Sequence, residues 1–256
     1  DHNIKQVPVV DGSKIVGMVA RADIIKLLGL YHPQIFVTGF DRPNLHFSVL
    51  KGENKQAYIL DYLKRQPNKS GIIYAATRKE VDSLYKLLSE KGFNVGRYHA
   101  GLNDSERTII QEDFIYDNTA VIVATNAFGM GIDKSNVRYV IHYNMPKNME
   151  AYYQEAGRSG RDGEDGECIL LFSSQDIMLQ KFLIDKSTEN PERKSNELNK
   201  LQAMVDYCHT PNCLRAYILN YFGDHSNISC QNCSNCQDNS EVSDVTIDAQ
   251  KVFSCV

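Results

Sequence analysis

The sequence lacks long apolar runs, and it contains no tryptophan among its 256 residues. A helix that crosses a bilayer needs roughly 20 consecutive apolar residues, and the longest stretches here run to only a handful. The start of the chain also shows no charged segment followed by an apolar one, which is the pattern of a secretory leader. We therefore expect no membrane span and a cytoplasmic protein.

Two phosphate-handling motifs are also missing. The pattern Gly-x-x-x-x-Gly-Lys-[Ser/Thr], whose backbone amides cradle nucleotide phosphates, occurs nowhere in these 256 residues. An Asp-Glu-x-His acid box that could hold magnesium is absent as well. These residues alone therefore do not make a complete site for ATP hydrolysis.

Positive charge is not in excess, because 28 Lys and Arg face 32 Asp and Glu and the net charge is −4. Proteins that bind duplex nucleic acid usually carry a basic face, so the composition alone does not favour a nucleic-acid partner. The seven cysteines lie mostly late in the chain, which favours a metal site over a disulfide framework. The length suits one sizeable domain and a small module.

The middle of the chain alternates between helical and strand-like patterns, which predicts an α/β fold with a parallel sheet covered by helices on both faces. Helical spacing covers Lys55–Arg65, Val81 to Leu88, Asp104–Tyr116 and Met149–Gly157. Apolar strand-like runs cover Gly71–Ala75, Asn94–Tyr98, Ala120–Thr125, Val137–Tyr143 and Glu167–Phe172. Ligands of such sheets bind beyond the carboxyl ends of the strands, so we expect the functional residues in those loops.

The first residues follow a different pattern. Val7–Val10 and Ile15–Val19 read as two strands around an Asp-Gly turn, and Arg21–Leu28 reads as a short helix. This stretch resembles the closing half of a CBS motif, a family that implies adenine-nucleotide sensing. A generic hairpin and helix is the alternative, and a junction between two unrelated genes could lie within Arg21–Leu28.

Two arginines, Arg158 and Arg161, stand three residues apart among glycines, with Gln154 before them. This spacing puts both guanidinium groups on one side of a helical turn. Planar, permanently charged groups can bind phosphate oxygens bidentately, although Arg-Gly turns also occur as solvated loops.

Three further strand ends carry small or polar residues. Thr125 ends an apolar strand and precedes a glycine-rich turn, in which Gly131 is followed by Asp133. Glycine lets the backbone approach a ligand closely, although a buried turn would explain the pattern equally well. Two other strands end in the pairs Thr77-Arg78 and His99-x-Gly101. Helix N-termini that open after such strands favour phosphate binding, but a single histidine there is more often structural.

Four cysteines suggest a metal site, with Cys230, Cys233 and Cys236 at two-residue spacers and sixteen residues between Cys213 and Cys230. Four thiolates suit a closed, tetrahedral structural Zn²⁺ site. A disulfide set or an iron–sulfur cluster remains an alternative.

These motifs together resemble the RecQ family of ATP-dependent DNA helicases over roughly residues 22–256. The string Tyr153–Gly163 resembles helicase motif VI, which implies that Arg161 is an arginine finger and that Arg158 and Gln154 line the nucleotide cleft. The string Val121–Asp133 resembles motif V, which implies that Thr125 contacts the DNA backbone. Gly131 and Asp133 would then lie on the nucleotide side.

The same resemblance implies that Thr77, Arg78, His99 and Gly101 contact DNA. It also selects Cys213, rather than Cys208, as the fourth Zn²⁺ ligand. ATP and Mg²⁺ would bind with a first motor lobe that carries the two motifs missing from these residues. Single-stranded and forked DNA would be the other partners, and the family places such a protein at the bacterial nucleoid.

The resemblance also predicts how the chain is divided. Residues 1–28 are a CBS-like fragment or the end of a preceding lobe, 29–185 a RecA-like C-terminal helicase lobe, and 186–239 a small helical zinc-binding module. Residues 240–256 resemble the start of a truncated winged-helix domain, and the polar segment Lys186–Glu197 reads as a mobile link. The implied function is ATP-driven 3′-to-5′ unwinding of DNA in replication, recombination and repair, for which this chain alone would be insufficient. A non-catalytic nucleic-acid-binding or regulatory fusion protein is the alternative.

Overall fold

The computed structural model describes residues 6–11, 14–20, 40–129, 133–224, 229–238 and 246–254. Its strands are β1 Gln6–Asp11, β2 Lys14–Ala20, β3 Leu45–Lys51, β4 Ser70–Tyr74, β5 Val95–Tyr98, β6 Val121–Ala124, β7 Val137–His142 and β8 Gly166–Phe172. Its helices are α1 Lys55–Arg65, α2 Arg78–Glu90, α3 Asp104–Ile115, α4 Met149–Ala156, α5 Ser174–Ser187, α6 Pro191–His209, α7 Leu214–Tyr221, α8 Ser234–Gln237 and α9 Thr246–Phe253. The helix expected over Arg21–Leu28 and the site residue Gly131 lie outside the described residues.

Six of these strands form one sheet in the order β3-β8-β7-β4-β6-β5, and every pairing in it is parallel. Helices connect the successive strands from β3 to β6 and from β7 to β8, and they return the chain to the starting edge, as a parallel pairing requires. The expected α/β fold with a parallel sheet is therefore confirmed. Within the described residues, no helix is long and apolar enough to cross a membrane.

Helices cover both faces of the sheet, which explains why its central strands are apolar without interruption. Neighbouring residues of β4 show this, because successive side chains of a strand point to opposite faces. Ile73 packs in a cluster with Leu63 of α1 and Leu84 of α2, whereas Ile72 packs in another cluster with Phe114 of α3. Both isoleucines are fully buried.

A third cluster joins the sheet to the module that follows it. Cys168 of β8 and Tyr152 of α4 pack in one core with Tyr207 of α6 and Leu214 of α7. The hydroxyl of Tyr207 donates to that of Tyr152 over 3.2 Å. The helical module after the sheet therefore shares its hydrophobic core with the lobe.

Two features differ from the sequence-based expectations. The edge strand β3 was not predicted, although it pairs with β8 along its full length. The expected mobile link over Lys186–Glu197 is wrong from Pro191 onward, because α6 begins there. Its start is fixed by a side-chain cap, in which the Asn190 carboxamide oxygen accepts from the Arg193 amide over 3.0 Å. The segment is polar because this first part of the helix is largely exposed.

The first described residues form two antiparallel strands, β1 and β2, so the two predicted strands are confirmed, whereas Gly12 of the predicted turn lies outside the described residues. The α9 helix likewise agrees with the helix expected at the start of a winged-helix domain. Whether the hairpin is part of a CBS motif, and α9 part of a winged helix, stays a prediction.

Gly71 gives a test of how tightly the sheet is packed. It is paired with Tyr139 on β7, and a Cβ at position 71 would stand 1.9 Å from Cε2 of that ring. We expect Gly71→Ala to lower the free energy of unfolding by about 1–3 kcal/mol, because overpacking displaces the ring. Urea unfolding followed by far-ultraviolet circular dichroism measures this loss.

The matched control is the same substitution in a Tyr139→Leu background. That side chain is smaller, so the two changes should be non-additive and the penalty of Gly71→Ala should shrink. An unchanged penalty in the double variant would contradict the assigned contact.

Candidate functional site

The loops after β4, β5 and β6 lie side by side at the carboxyl edge of the sheet. The Ala75 amide donates to the Ala124 carbonyl over 2.9 Å, and the Thr125 amide donates to the Tyr98 carbonyl over 3.1 Å. We call this edge the strand-end surface. It is defined by the expected DNA-contacting residues Thr77, Arg78, His99, Gly101 and Thr125, which the fold thus brings to one place.

Thr77 and Arg78 open α2 in different ways. The Thr77 hydroxyl accepts from the Glu80 amide over 3.2 Å, and the Thr77 amide donates to the Glu80 carboxylate over 3.2 Å, which together form a capping box. Thr77 therefore fixes the helix start. Arg78 is the first residue of the helix and is exposed, so its guanidinium is presented to solvent.

The other residues of the strand-end surface are more enclosed. His99 is 6% exposed and Thr125 is 8% exposed. Asn126, which follows Thr125, is exposed and borders a cavity of about 310 Å³ beneath the surface. Lys147 is exposed and also lines that cavity. Neither side chain was singled out from the sequence, because nothing in a linear pattern distinguishes them from ordinary loop residues.

Asn144, just after β7, holds the loop after β4 in place. Its carboxamide oxygen accepts from the Ala76 amide over 2.9 Å, and its nitrogen donates to Glu80 over 3.0 Å and to Asp176 over 3.1 Å. Asp176 in turn forms a buried ion pair with Lys55 over 2.8 Å. Sequence reasoning missed this network because its members come from four separate segments.

Arg158 and Arg161 lie elsewhere, and here the expectation that all site residues follow strands is wrong. They follow the carboxyl end of α4, where the Gly160 amide donates to the Val137 carbonyl at the start of β7 over 2.8 Å. Because α4 runs back along the sheet, its end reaches the amino edge of the strands. We call this region the arginine flank.

Within the arginine flank the two arginines differ in exposure. Arg161 pairs with the exposed carboxylate of Asp133 over 2.8 Å, whereas Arg158 is 8% exposed. A Cβ on Gly129 would come within 2.2 Å of Arg158 Nη2, so only glycine leaves room for this guanidinium. Gln154 is exposed on the preceding helix turn. The flank therefore presents Arg161 and Gln154 and encloses Arg158.

A tyrosine from the sheet supports the wall behind Arg158. Burial raises the pKa of Tyr74, so its hydroxyl stays protonated and donates to the Phe128 carbonyl over 2.9 Å. This bond fixes the backbone beside Gly129. The loop that carries Asp133 is thereby anchored to the centre of the sheet.

Arg42 and Asn44 hold the arginine loop from the other side. Arg42 Nη2 donates to the Gly160 carbonyl over 2.8 Å, and Asn44 Nδ2 donates to the carbonyls of Gly160 over 2.8 Å and Glu164 over 2.7 Å. Gly160 has a φ of +57°, a conformation that favours glycine. Sequence reasoning gave these two residues no role, since their partners are backbone atoms more than a hundred positions away.

The four cysteines predicted as metal ligands, Cys213, Cys230, Cys233 and Cys236, come together with all their sulfur atoms within 4.8 Å of one another. Cys213 stands at the start of α7, and Cys233 is fully buried beside Phe47 of β3, with which it forms a backbone bridge. Cys213 and Cys233 thus precede the first turns of α7 and α8, Cys236 lies within α8, and Cys230 lies in the preceding loop. Four converging thiols fit a structural Zn²⁺.

Two other cysteines of the described region do not join this cluster. Cys168 and Cys208 are buried in the shared core. Burial raises the pKa of Cys168, and it raises the pKa of Cys208 to about 12. Both therefore remain thiols, whereas a metal ligand must be a thiolate. The choice of Cys213 over Cys208 agrees with this geometry.

Comparison with known families matches the same two regions. Residues 54–163 match the helicase conserved C-terminal domain, and residues 174–237 match the RecQ zinc-binding domain. The chain belongs to the RecQ family, as a C-terminal helicase region.

Individual RecQ relatives agree with this placement. The ATP-dependent DNA helicase RecQ of Bacillus subtilis is 52% identical over 234 residues, which cover 91% of this chain and 39% of that protein. The RecQ protein of Pasteurella multocida is 42% identical over 92% of this chain and 37% of its own length. The RecQ-like DNA helicase BLM of Xenopus laevis is 39% identical over 91% of this chain and 18% of its own length. The chain thus spans well under half of each of these relatives.

The cysteine cluster leads to a prediction about metal content. We expect the purified chain to carry about one Zn²⁺, and Cys233→Ser to lose it and to melt at a lower temperature. The reason is that the binding free energy of a structural zinc site is also folding free energy. Metal analysis together with thermal unfolding measures both effects.

Cys168→Ser is the matched control, because Cys168 is equally buried but donates only to the Ala156 carbonyl. This variant should keep its Zn²⁺. Release of the metal by Cys168→Ser, with retention by Cys233→Ser, would show that the ligands have been wrongly assigned.

Proposed function

We propose that this chain is the second motor lobe and zinc module of an ATP-dependent 3′-to-5′ DNA helicase that acts in replication, recombination and repair. The proposal rests on the loop after β6, which carries one residue of each proposed ligand site. The loop after β6 begins at Thr125 on the strand-end surface and reaches Asp133, which pairs with Arg161 on the arginine flank. A single segment therefore connects the two proposed ligand sites.

The arginine flank supplies one half of an ATP site in this proposal. Arg161 would exchange the Asp133 carboxylate for phosphate oxygens of the nucleotide, with Gln154 beside it. A lobe with a phosphate-binding loop, and Mg²⁺, would complete the site from the other side. Arginine fingers accelerate phosphoryl transfer by roughly 10³- to 10⁵-fold, because they stabilise charge that develops in the transition state.

Arg158 has a supporting place in the same site. Its guanidinium is enclosed between Gly129 and the Tyr74 ring region. In this proposal Arg158 lines the nucleotide cleft behind Arg161, where its positive charge favours the bound phosphates.

The strand-end surface would bind the backbone of single-stranded DNA, including the single strand of a fork. Its cation Arg78 and the amide groups at the start of α2 suit phosphate oxygens. Contacts of this kind do not read base identity, so little sequence preference is expected. In the cell this function would place the protein at the nucleoid.

The zinc site would have a structural role only. Its four thiolates leave no open coordination position, which a catalytic zinc requires. The cluster instead fastens the start of α7 and the loop at Cys233 to β3, and thereby stabilises the core that the module shares with the lobe.

Two arginines distinguish the two proposed surfaces. We expect Arg78→Ala to weaken binding of single-stranded DNA by a similar factor for every sequence, and to reduce its dependence on salt. Arg161→Ala should leave DNA affinity intact, because that side chain faces the nucleotide. With a net charge of −4, dissociation constants should be no tighter than roughly 10⁻⁴ to 10⁻⁶ M, the range of non-specific binding.

Fluorescence anisotropy with oligonucleotides of several sequences, at two or more salt concentrations, measures these affinities. The reverse pattern, in which Arg161→Ala abolishes binding and Arg78→Ala is silent, would mean that the two surfaces are assigned the wrong way round.

ATP hydrolysis tests the half-site. The chain alone should release no more phosphate from ATP than buffer does, with or without single-stranded DNA, because it contains no phosphate-binding loop. A coupled phosphate-release assay detects this. DNA-stimulated turnover that Arg161→Ala removes would show instead that these residues form a complete site.

A further inference from the structure

His99 lies at the end of β5 and is almost fully buried, although its sequence context led us to expect a direct contact with DNA. The exposed cation beside it is Arg78, at the start of α2. The two side chains meet at Gly101. A Cβ on that glycine would lie 3.1 Å from His99 Nδ1 and 3.2 Å from Arg78 Nη1.

Both ring nitrogens of His99 already have partners. The Gly101 amide donates to Nδ1 over 3.1 Å, and Nε2 lies 3.3 Å from the Asp82 carboxylate. A backbone amide can only donate, so Nδ1 carries no proton and Nε2 must carry it. The imidazole is therefore neutral in this arrangement, and neither nitrogen is left to bind a phosphate.

These two bonds join separate elements of the strand-end surface. Gly101 belongs to the loop after β5, and Asp82 lies one turn along α2 from Arg78. Asp82 also pairs with Arg97 of β5 over 2.5 Å. This ion pair is a second contact between α2 and the strand that precedes His99. The imidazole thus sets the distance between the loop and the helix whose first side chain is Arg78.

We propose that His99 is a positioning residue, which as a neutral Nε2–H imidazole holds Gly101 against α2 so that Arg78 is presented to the DNA backbone. It does not itself bind phosphate. The inference rests on the proposed DNA-binding role of the strand-end surface and deepens it. The charged groups around the ring are Asp82 and Arg78 from α2 and Arg97 from β5.

Three substitutions of His99 separate positioning from phosphate contact. Alanine removes both bonds of the ring. The displaced Arg78 should then lose about one hydrogen bond to phosphate, which weakens binding of a single-stranded oligonucleotide by about 2- to 10-fold. Asparagine can accept from the amide two residues later in an Asx-turn, so His99→Asn should recover most of the affinity without any charge. His99→Lys adds a cation but no acceptor, and should bind no better than His99→Ala.

A double-substitution cycle with Arg78→Ala identifies the route of the effect. Residues that act through one another are non-additive, so His99→Ala should change affinity by less than about 2-fold once Arg78 is already alanine. Nitrogen-15 spectra of the ring should show the proton on Nε2. Thermal unfolding and Zn²⁺ content, measured on each variant, confirm that the fold is kept.

The contrary results are distinct. Wild-type affinity in His99→Lys with loss in His99→Asn, additive losses in the cycle, or a proton on Nδ1 would each overturn the positioning role alone. A silent Arg78→Ala would overturn it together with the DNA-binding role of the strand-end surface.

Discussion

The strand-end surface depends on the hydrogen bonds and the ion pair that the carboxylate of Asp176 accepts. It is 3% exposed, and it accepts from Lys55 over 2.8 Å, from Asn144 over 3.1 Å and from two backbone amides, those of Met145 and Ser173. A buried charge is tolerated only when it is paired and hydrogen-bonded. Because these donors come from the start of α1, the loop after β7 and the start of α5, one group fixes the relative positions of three segments.

Asn144 connects Asp176 to the loop that precedes α2. It accepts from the Ala76 amide and donates to Glu80, and Glu80 forms the capping box with Thr77. Removing one partner of a buried ion pair typically costs about 3–5 kcal/mol, so each member of the network is important for the stability of this part of the fold. A rigid support is what a backbone-binding surface needs, since it must meet phosphates at a fixed spacing.

The arginine flank has a different character. Arg42 and Asn44 donate to the carbonyls of the arginine loop, and Gly160 allows its turn. The ion pair of Arg161, in contrast, is made to the exposed carboxylate of Asp133. Exposed ion pairs contribute about 0–1 kcal/mol. The backbone of the arginine loop is therefore held by several hydrogen bonds, while the ion pair between Arg161 and Asp133 can be broken at little cost.

The sequence by itself determined the α/β alternation, most helix and strand positions and the four cysteines, because these depend on local periodicity and spacing. The resemblance of its motifs to the RecQ family, confirmed by the comparisons, also came from short strings of neighbouring residues. The sequence pattern did not predict β3, since this edge strand is specified by its pairing with β8 rather than by its own residues. The helix at Pro191 was hidden by its polar, exposed first turns.

Only the tertiary structure placed Arg158 and Arg161 at the edge of the sheet opposite Thr77 and Thr125. That separation follows from the direction in which α4 runs back along the sheet. The tertiary structure also encloses His99 between Gly101 and Asp82, and it places Asn144, Asp176 and Arg42 where they support the site. Contacts between residues far apart in the chain leave no mark in a linear pattern, because each depends on the packing of the whole sheet.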